Sequence, residues 1–169
     1  AVKATGATAS VTLVGAMQSP LDNPKAAGRA STMVRLVALT LPGRATRQFL
    51  YPLDAPGYVV GEITALSSTH FLVLELDTNW PRDPKSPSVQ KKIFLVDLSA
   101  ATDVSDPADG PEGRKVDGKT LEALTPAELT AAGIVPASKT MLVDLLDPAI
   151  GFEHNKAEGL AVIDAHTIA

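Results

Sequence analysis

The residues best equipped for chemistry in this chain are carboxylates lodged among apolar residues. Glu62, Glu75, Asp77 and Glu158 each sit inside or beside a run of Val, Leu, Ile or Ala, and burying a charge without a partner is expensive. Oxygen ligands of this kind suit a hard cation, so one reading has some of the four converging on Ca²⁺ or on a basic ligand. The other reading is structural: a salt bridge, for instance Glu158 with Lys156 or with a distant Arg, or exposure at a strand end. No D-x-D-x-D-G calcium loop accompanies them.

A second pattern, Gly113-Arg-Lys-Val-Asp-Gly118-Lys119-Thr120, has the spelling of a phosphate-binding loop. Its surroundings do not match. A buried strand should precede the first Gly and a long helix should follow the Thr; here an Asp/Pro/Gly-rich segment precedes, and Pro126 comes too soon. Neither a G-x-S-x-G elbow nor H-E-x-x-H occurs, so a hydrolase triad or a zincin site has no local support. His70 opens an apolar run, His154 sits in a polar loop and His166 in a turn. Each reads as a solvated or hydrogen-bonded loop residue, because catalysis needs a positioned partner that a sequence does not display.

The elements that must position these residues are mostly strands. The chain has 169 residues, long enough for a sizeable core, and is 45% hydrophobic but only 4% aromatic, so that core is built from Val, Leu, Ile and Ala. Twelve Gly and thirteen Pro argue for frequent turns. The formal charge of −4, with basic residues dispersed, leaves no electrostatic footprint for nucleic acid. Absence of cysteine removes disulfides and thiolate chemistry, and no window reaches the length of a transmembrane span.

Strands are expected over 9–17, 32–41, 45–53, 58–66, 70–77, 91–98 and 139–146, separated by turn signals such as Pro42-Gly43 and Asp54-Ala-Pro-Gly57. In the third, Arg47, Phe49 and Tyr51 alternate with Gln48, Leu50 and Pro52. The Pro-rich stretch 78–90 reads as an irregular loop that Trp80 packs down. The excursion after Leu98 contains one helix signal, Thr125-Pro126-Ala127-Glu128 with Gly133 beyond it: a Thr cap, Pro at the first helical position and Glu three residues after the cap. Near the end, Lys156, Glu158 and Gly159 stand at the mouth of an apolar strand, and Asp164-Ala165 turns into a second one.

Met17-Gln-Ser-Pro-Leu21, Arg47-Gln-Phe-Leu-Tyr-Pro-Leu53, Phe71-Leu-Val-Leu-Glu75, Lys92-Ile-Phe-Leu-Val-Asp-Leu98 and Lys156-Ala-Glu-Gly-Leu-Ala-Val162 follow one another in an order that resembles the phytase-like, esterase-like β-propeller family. The resemblance covers most of the chain. It implies four-stranded antiparallel blades around a central channel, export to the bacterial periplasm or exterior, and hydrolysis of a small ester or phosphoester, with Glu75 and Glu158 as the residues matching its acidic positions. Leu76 departs from the Arg expected after the first of these. The Asp-Asn element expected after the Glu-Gly-Leu strand is not found before Ala169.

The resulting expectation is an all-β chain: antiparallel four-stranded blades of a β-propeller, present as an incomplete piece, with one short helix. Residues of about 8–54 are part of one blade, 58–148 the next with an insertion at 99–138, and 152–169 the start of another. Apolar sheet faces are then to be covered by further blades or another chain. Metal-assisted hydrolysis is expected of the full-length protein, with Glu75 and Glu158 as catalytic carboxylates and Glu62, Glu75, Asp77 and Glu158 as candidate Ca²⁺ ligands, and the piece alone is expected to be inactive. The rival expectation is a non-catalytic exported scaffold or ligand-binding propeller. A self-contained β-sandwich also satisfies the strand count.

Overall fold

The computed structural model describes residues 10–106, 110 and 113–169. Ala9 of the first expected strand and positions 107–109, 111 and 112 of the excursion lie outside the described residues. The chain is mostly β, with antiparallel sheets and a single short α-helix among the described residues.

Strands β1 (Val11–Ala16), β2 (Met33–Leu41) and β3 (Ala45–Pro52) form a three-stranded sheet in that order. Strands β4 (Val59–Ala65), β5 (His70–Leu76) and β6 (Lys91–Asp97) form the second sheet. It is completed by β9 (Ser138–Asp144) at the far edge. Between β6 and β9 the chain makes a small hairpin, β7 (Lys115–Val116) and β8 (Lys119–Thr120), then a 3-10 turn at Leu121–Ala123 and helix α1 (Pro126–Ala131).

Alternation along the strands decides how the layers stack. Val34, Leu36 and Ala38 of β2 and Phe49 and Tyr51 of β3 pack against Phe71, Val73, Phe94 and Val96 of the second sheet. The two sheets therefore lie face to face, and each fully buried Leu or Val in the molecule contributes about 1.5–3 kcal/mol. The opposite faces are covered differently. On the first sheet, Met33 and Leu50 meet Leu121, Leu124, Leu129 and Ile134 of the excursion. Residues 121–134 of the excursion thus form a packed layer.

On the second sheet, Leu72, Leu74 and Ile93 lie under Ala157 and Leu160. The approach is close at Gly61, where an added Cβ would stand 2.7 Å from a Leu76 methyl and 3.1 Å from the Ala157 carbonyl oxygen. A β-bulge between Val60 and Glu62 falls at this same point. Beyond it, the two strands expected near the C-terminus amount to one isolated bridge, Val162 to Ile168, closed by paired backbone bonds between Ala161 and Ala169. Ile163 of this arm stays exposed.

The helix begins where its cap signal lies. Thr125 and Glu128 make a reciprocal capping box, and Pro126 opens the first turn. Replacing Thr125 by Ala should cost about 1 kcal/mol in urea unfolding. Hydrogen bonds from Lys119, then from the Thr125 amide and hydroxyl, pull the Glu128 carboxyl down to about 2. Such a group contributes stability that is complete above its unfolded pKa and is lost as pH falls through the folded value. The stability advantage over a Glu128→Gln variant should therefore be full at neutral pH and close between 4.5 and about 2, read by unfolding across that range.

Candidate functional site

Two groups of polar residues stand out: a buried network between the sheets and an open cleft beside it. The network begins on β5, whose inward face runs Phe71, Val73 and then Glu75. Glu75 is fully buried. Its Oε1 accepts from the Asp54 amide at 2.9 Å and the Gln90 side-chain amide at 3.0 Å. Its Oε2 accepts from the Tyr51 hydroxyl and the Lys139 ammonium, both at 2.7 Å. Lys139 also reaches Asp54 at 2.7 Å and lies 4.2 Å from the centre of the Phe94 ring. Burial, then the Glu75 charge and hydrogen bond, push the Tyr51 hydroxyl far up, so it stays protonated and donates. For Asp54, desolvation works upward, but the bond and charge of Lys139 outweigh it and hold the carboxyl low.

Two residues on, Asp77 organises the Pro-rich loop. Its Oδ1 accepts from the Asn79 amide and the Ser88 hydroxyl, its Oδ2 from the Val89 and Gln90 amides. Lys91, with no exposed surface, directs its ammonium at Asp77 and at the Asn79 carbonyl. Desolvation raises the Asp77 carboxyl, yet these hydrogen bonds prevail and it lies below its ordinary range. Trp80, about half exposed, fastens the loop to the C-terminal arm by donating to the Glu153 carbonyl, and Arg82 pairs with the Glu153 carboxylate.

These surroundings do not fit a Ca²⁺ shell at Glu75 or Asp77, because every carboxylate oxygen already accepts from N–H or O–H donors and an ammonium stands beside each group. Glu158 lies on the exposed arm, 3.7 Å from Lys156, and exposed pairs of this kind contribute little. Glu62 lies at the bulge with its Oε1 accepting from the Ile63 amide at 2.8 Å. Glu75 and Asp77 are brought together through Gln90, which donates to both. Among the described residues, no three His, Asp or Glu side chains gather closely enough to hold a metal ion.

The cleft, about 750 Å³, lies where edge strands β1 and β4 meet. Its walls combine Arg47 and Glu62 with the hydroxyl residues Thr12, Thr64, Ser67 and Ser68, while Leu160 of the arm closes one side. Thr64 donates to the Leu160 carbonyl at 2.6 Å, holding the arm against β4. A smaller adjoining cavity shares Arg47 and Ser68 and reaches Ser99 and Asp103. A cation and several hydroxyl donors facing one open space can accept an anionic or carbonyl oxygen; a carboxylate there can accept a proton. Of the carboxylates singled out from the sequence, only Glu62 is among the residues lining this cleft. Arg47 was legible as a cation alternating with Phe49 and Tyr51, but its place on the cleft wall was not. Ser67 carried no signal beyond belonging to a turn.

The phosphate-loop spelling resolves into the β7–β8 hairpin. Asp117 and Gly118 both take positive φ, 49° and 78°, as a tight hairpin turn requires. Lys119 is spent on Glu128 at 2.5 Å, and Thr120 donates to the Asn23 carbonyl. Of the histidines, His154 makes an edge contact with Phe152, and His166 lies in the turn where its amide bonds Asp164. His70 differs. Its Nδ1 lies 3.1 Å from the Thr69 hydroxyl and 3.4 Å from that of Ser67, and its Nε2 lies 3.7 Å from Asp97.

Stacked antiparallel sheets whose edge strands meet beside a polar cleft define a class, the predominantly β proteins built from packed antiparallel sheets. Within it, the family model described as "Phytase-like: Esterase-like activity of phytase" matches residues 1–169, and the chain belongs to that family. No curated protein and no solved structure matches it significantly.

Proposed function

We propose that the chain is part of an exported β-propeller that hydrolyses small esters or phosphoesters, with the β1–β4 cleft as its binding site. The two sheets are read as neighbouring blades. Each places its first strand, β1 or β4, at a sheet edge, and those edges adjoin, as the channel-side strands of a propeller do. The observation that carries the activity is membership of a phytase-like family together with a cleft that presents Arg47, Glu62 and several hydroxyls. Arg47 is assigned to the ester's anionic or developing negative oxygen, and Glu62 to orienting water. Glu75 and Asp77 act at the C-terminal end of β5, away from the Phe71 end that lines the cleft, keeping the strand and its loop in place.

The test is turnover of a chromogenic phosphomonoester and a chromogenic carboxylic ester. Arg47→Ala should lower kcat/KM about tenfold or more, the worth of a lost charged hydrogen bond. No turnover of either ester would sink the reading.

A second reading, a non-catalytic scaffold, is favoured by one observation: the carboxylates best placed by sequence, Glu75 and Asp77, are fully occupied by structural donors. It predicts a stable chain that binds an ester in the cleft without turning it over.

A further inference from the structure

Resting on the hydrolase reading, we propose that Ser67, His70 and Asp97 form a nucleophile, base and carboxylate arrangement at the rim of the cleft, and that the substrates are carboxylic esters. The elements that assemble it are local and firm. His70 opens β5, and its register partner across the ladder is Asp97 at the end of β6. Ser67 belongs to the turn that joins β4 to β5. The imidazole lies between the other two, with Nδ1 3.4 Å from the Ser67 Oγ and Nε2 3.7 Å from an Asp97 carboxylate oxygen. Separations slightly beyond hydrogen-bond length are usual before substrate tightens such a site.

Each member is prepared by its neighbours. The Ser67 Oγ accepts from the amides of Thr69 at 3.2 Å and His70 at 3.0 Å. Those two donors favour negative charge on the oxygen and leave its proton available to His70. Asp97 is held by the Ser99 amide at 2.7 Å and its hydroxyl at 2.8 Å. These bonds, with a smaller contribution from His70, keep its carboxyl below the ordinary range and therefore ionised. An ionised Asp97 facing Nε2 selects the tautomer with its proton there, which frees Nδ1 to accept. Thr69 also reaches Nδ1, at 3.1 Å, but Ser67 lines the larger cleft, whereas Thr69 lines the smaller cavity; Arg47 borders both.

The reaction balances without a further reactant than water. Ser67 Oγ bonds to the ester carbonyl carbon as its proton passes to Nδ1. The carbonyl oxygen gathers negative charge in the cleft that Arg47 lines. Collapse breaks the bond to the alcohol, which leaves with the proton from Nδ1. Water then adds to the acyl-serine, giving one proton to Nδ1; the carboxylic acid departs, and Ser67 recovers that proton. Asp97 positions the imidazole and steadies its cationic form.

The test is to treat the full-length protein with a fluorophosphonate probe, locate the adduct by mass spectrometry, and follow hydrolysis of a chromogenic acetate ester in parallel. The adduct is expected on Ser67. Ser67→Ala should abolish turnover, and His70→Gln should lower it about 100-fold or more. Asp97→Asn should lower kcat while leaving KM unchanged, a split that a purely structural role would not give. Because the adduct is mapped on the native chain, the outcome does not depend on a variant folding. Turnover that survives in Ser67→Ala, or an adduct on Thr69 or elsewhere, overturns the assignment and leaves the hydrolase reading standing. Absence of both turnover and adduct overturns the assignment; if the phosphomonoester is not turned over either, the hydrolase reading falls with it.

Discussion

Replacing Lys139 by Met should destabilise the chain by about 3–5 kcal/mol, the cost of removing one partner from a buried ion pair. Lys139 neutralises Glu75 at 2.7 Å, and the Glu75 side chain has no exposed surface. Tyr51, Gln90 and the Asp54 amide would remain as donors. They do not supply a countercharge. A Glu75→Gln, Lys139→Met double variant should recover much of the loss, because the fully buried carboxylate is then neutral and only the part-exposed Asp54 loses its ammonium partner. Urea unfolding of the native chain, both single variants and the double variant measures the coupling directly. A Lys139→Met cost below about 1 kcal/mol, the range of an exposed pair, would contradict this account.

The second large effect belongs to the excursion that packs behind the first sheet. Arg35 on β2 and Glu122 in the 3-10 turn form a buried pair at 2.7 Å, and Arg35 also donates to the Gln48 side chain at 3.0 Å. The remaining Glu122 oxygen, Oε2, has no hydrogen-bond partner among the described residues. The pair therefore carries a desolvation cost that its own bonds do not fully offset. Arg35→Ala should still cost about 3–5 kcal/mol, since it abandons a buried carboxylate. An Arg35→Met, Glu122→Leu variant should equal or exceed the native stability by up to about 4 kcal/mol, joining Met33 and Leu121 in an apolar layer. Limited proteolysis should separate the two: faster cleavage within 99–137 for Arg35→Ala, unchanged resistance for the double variant. Equal protection in Arg35→Ala would mean that the apolar contacts alone hold the excursion down.

Strands were legible wherever apolar residues ran between Pro and Gly turns, and their positions agree with the structure to within a residue or two, from Val11–Ala16 through Ser138–Asp144. The helix was equally legible, because Thr125 and Glu128 state their capping relation within four positions of one another. What was not legible is long-range. Glu75 meets Lys139 across 64 positions and Arg35 meets Glu122 across 87, so nothing near either carboxylate announced its partner. An acid in an apolar strand accordingly reads as a potential ligand until its donors are located. The arm after Gly159 shows the converse. Its alternation favours strands, but pairing requires a neighbour, and a single bridge forms instead.

The placement of the excursion also sets an order of events during synthesis. β9 completes the second sheet, yet the chain must first traverse residues 98–137 before β9 can pair with β6. The last backbone bond before β9 ties Ala137 to the Leu50 carbonyl on the first sheet. As the chain emerges from the ribosome, β1–β3 and then β4–β6 can assemble from consecutive hairpins, whereas β9 arrives after a long detour. The excursion, once seated on β3, delivers β9 beside its vacancy and shortens the search that so distant a strand would otherwise face.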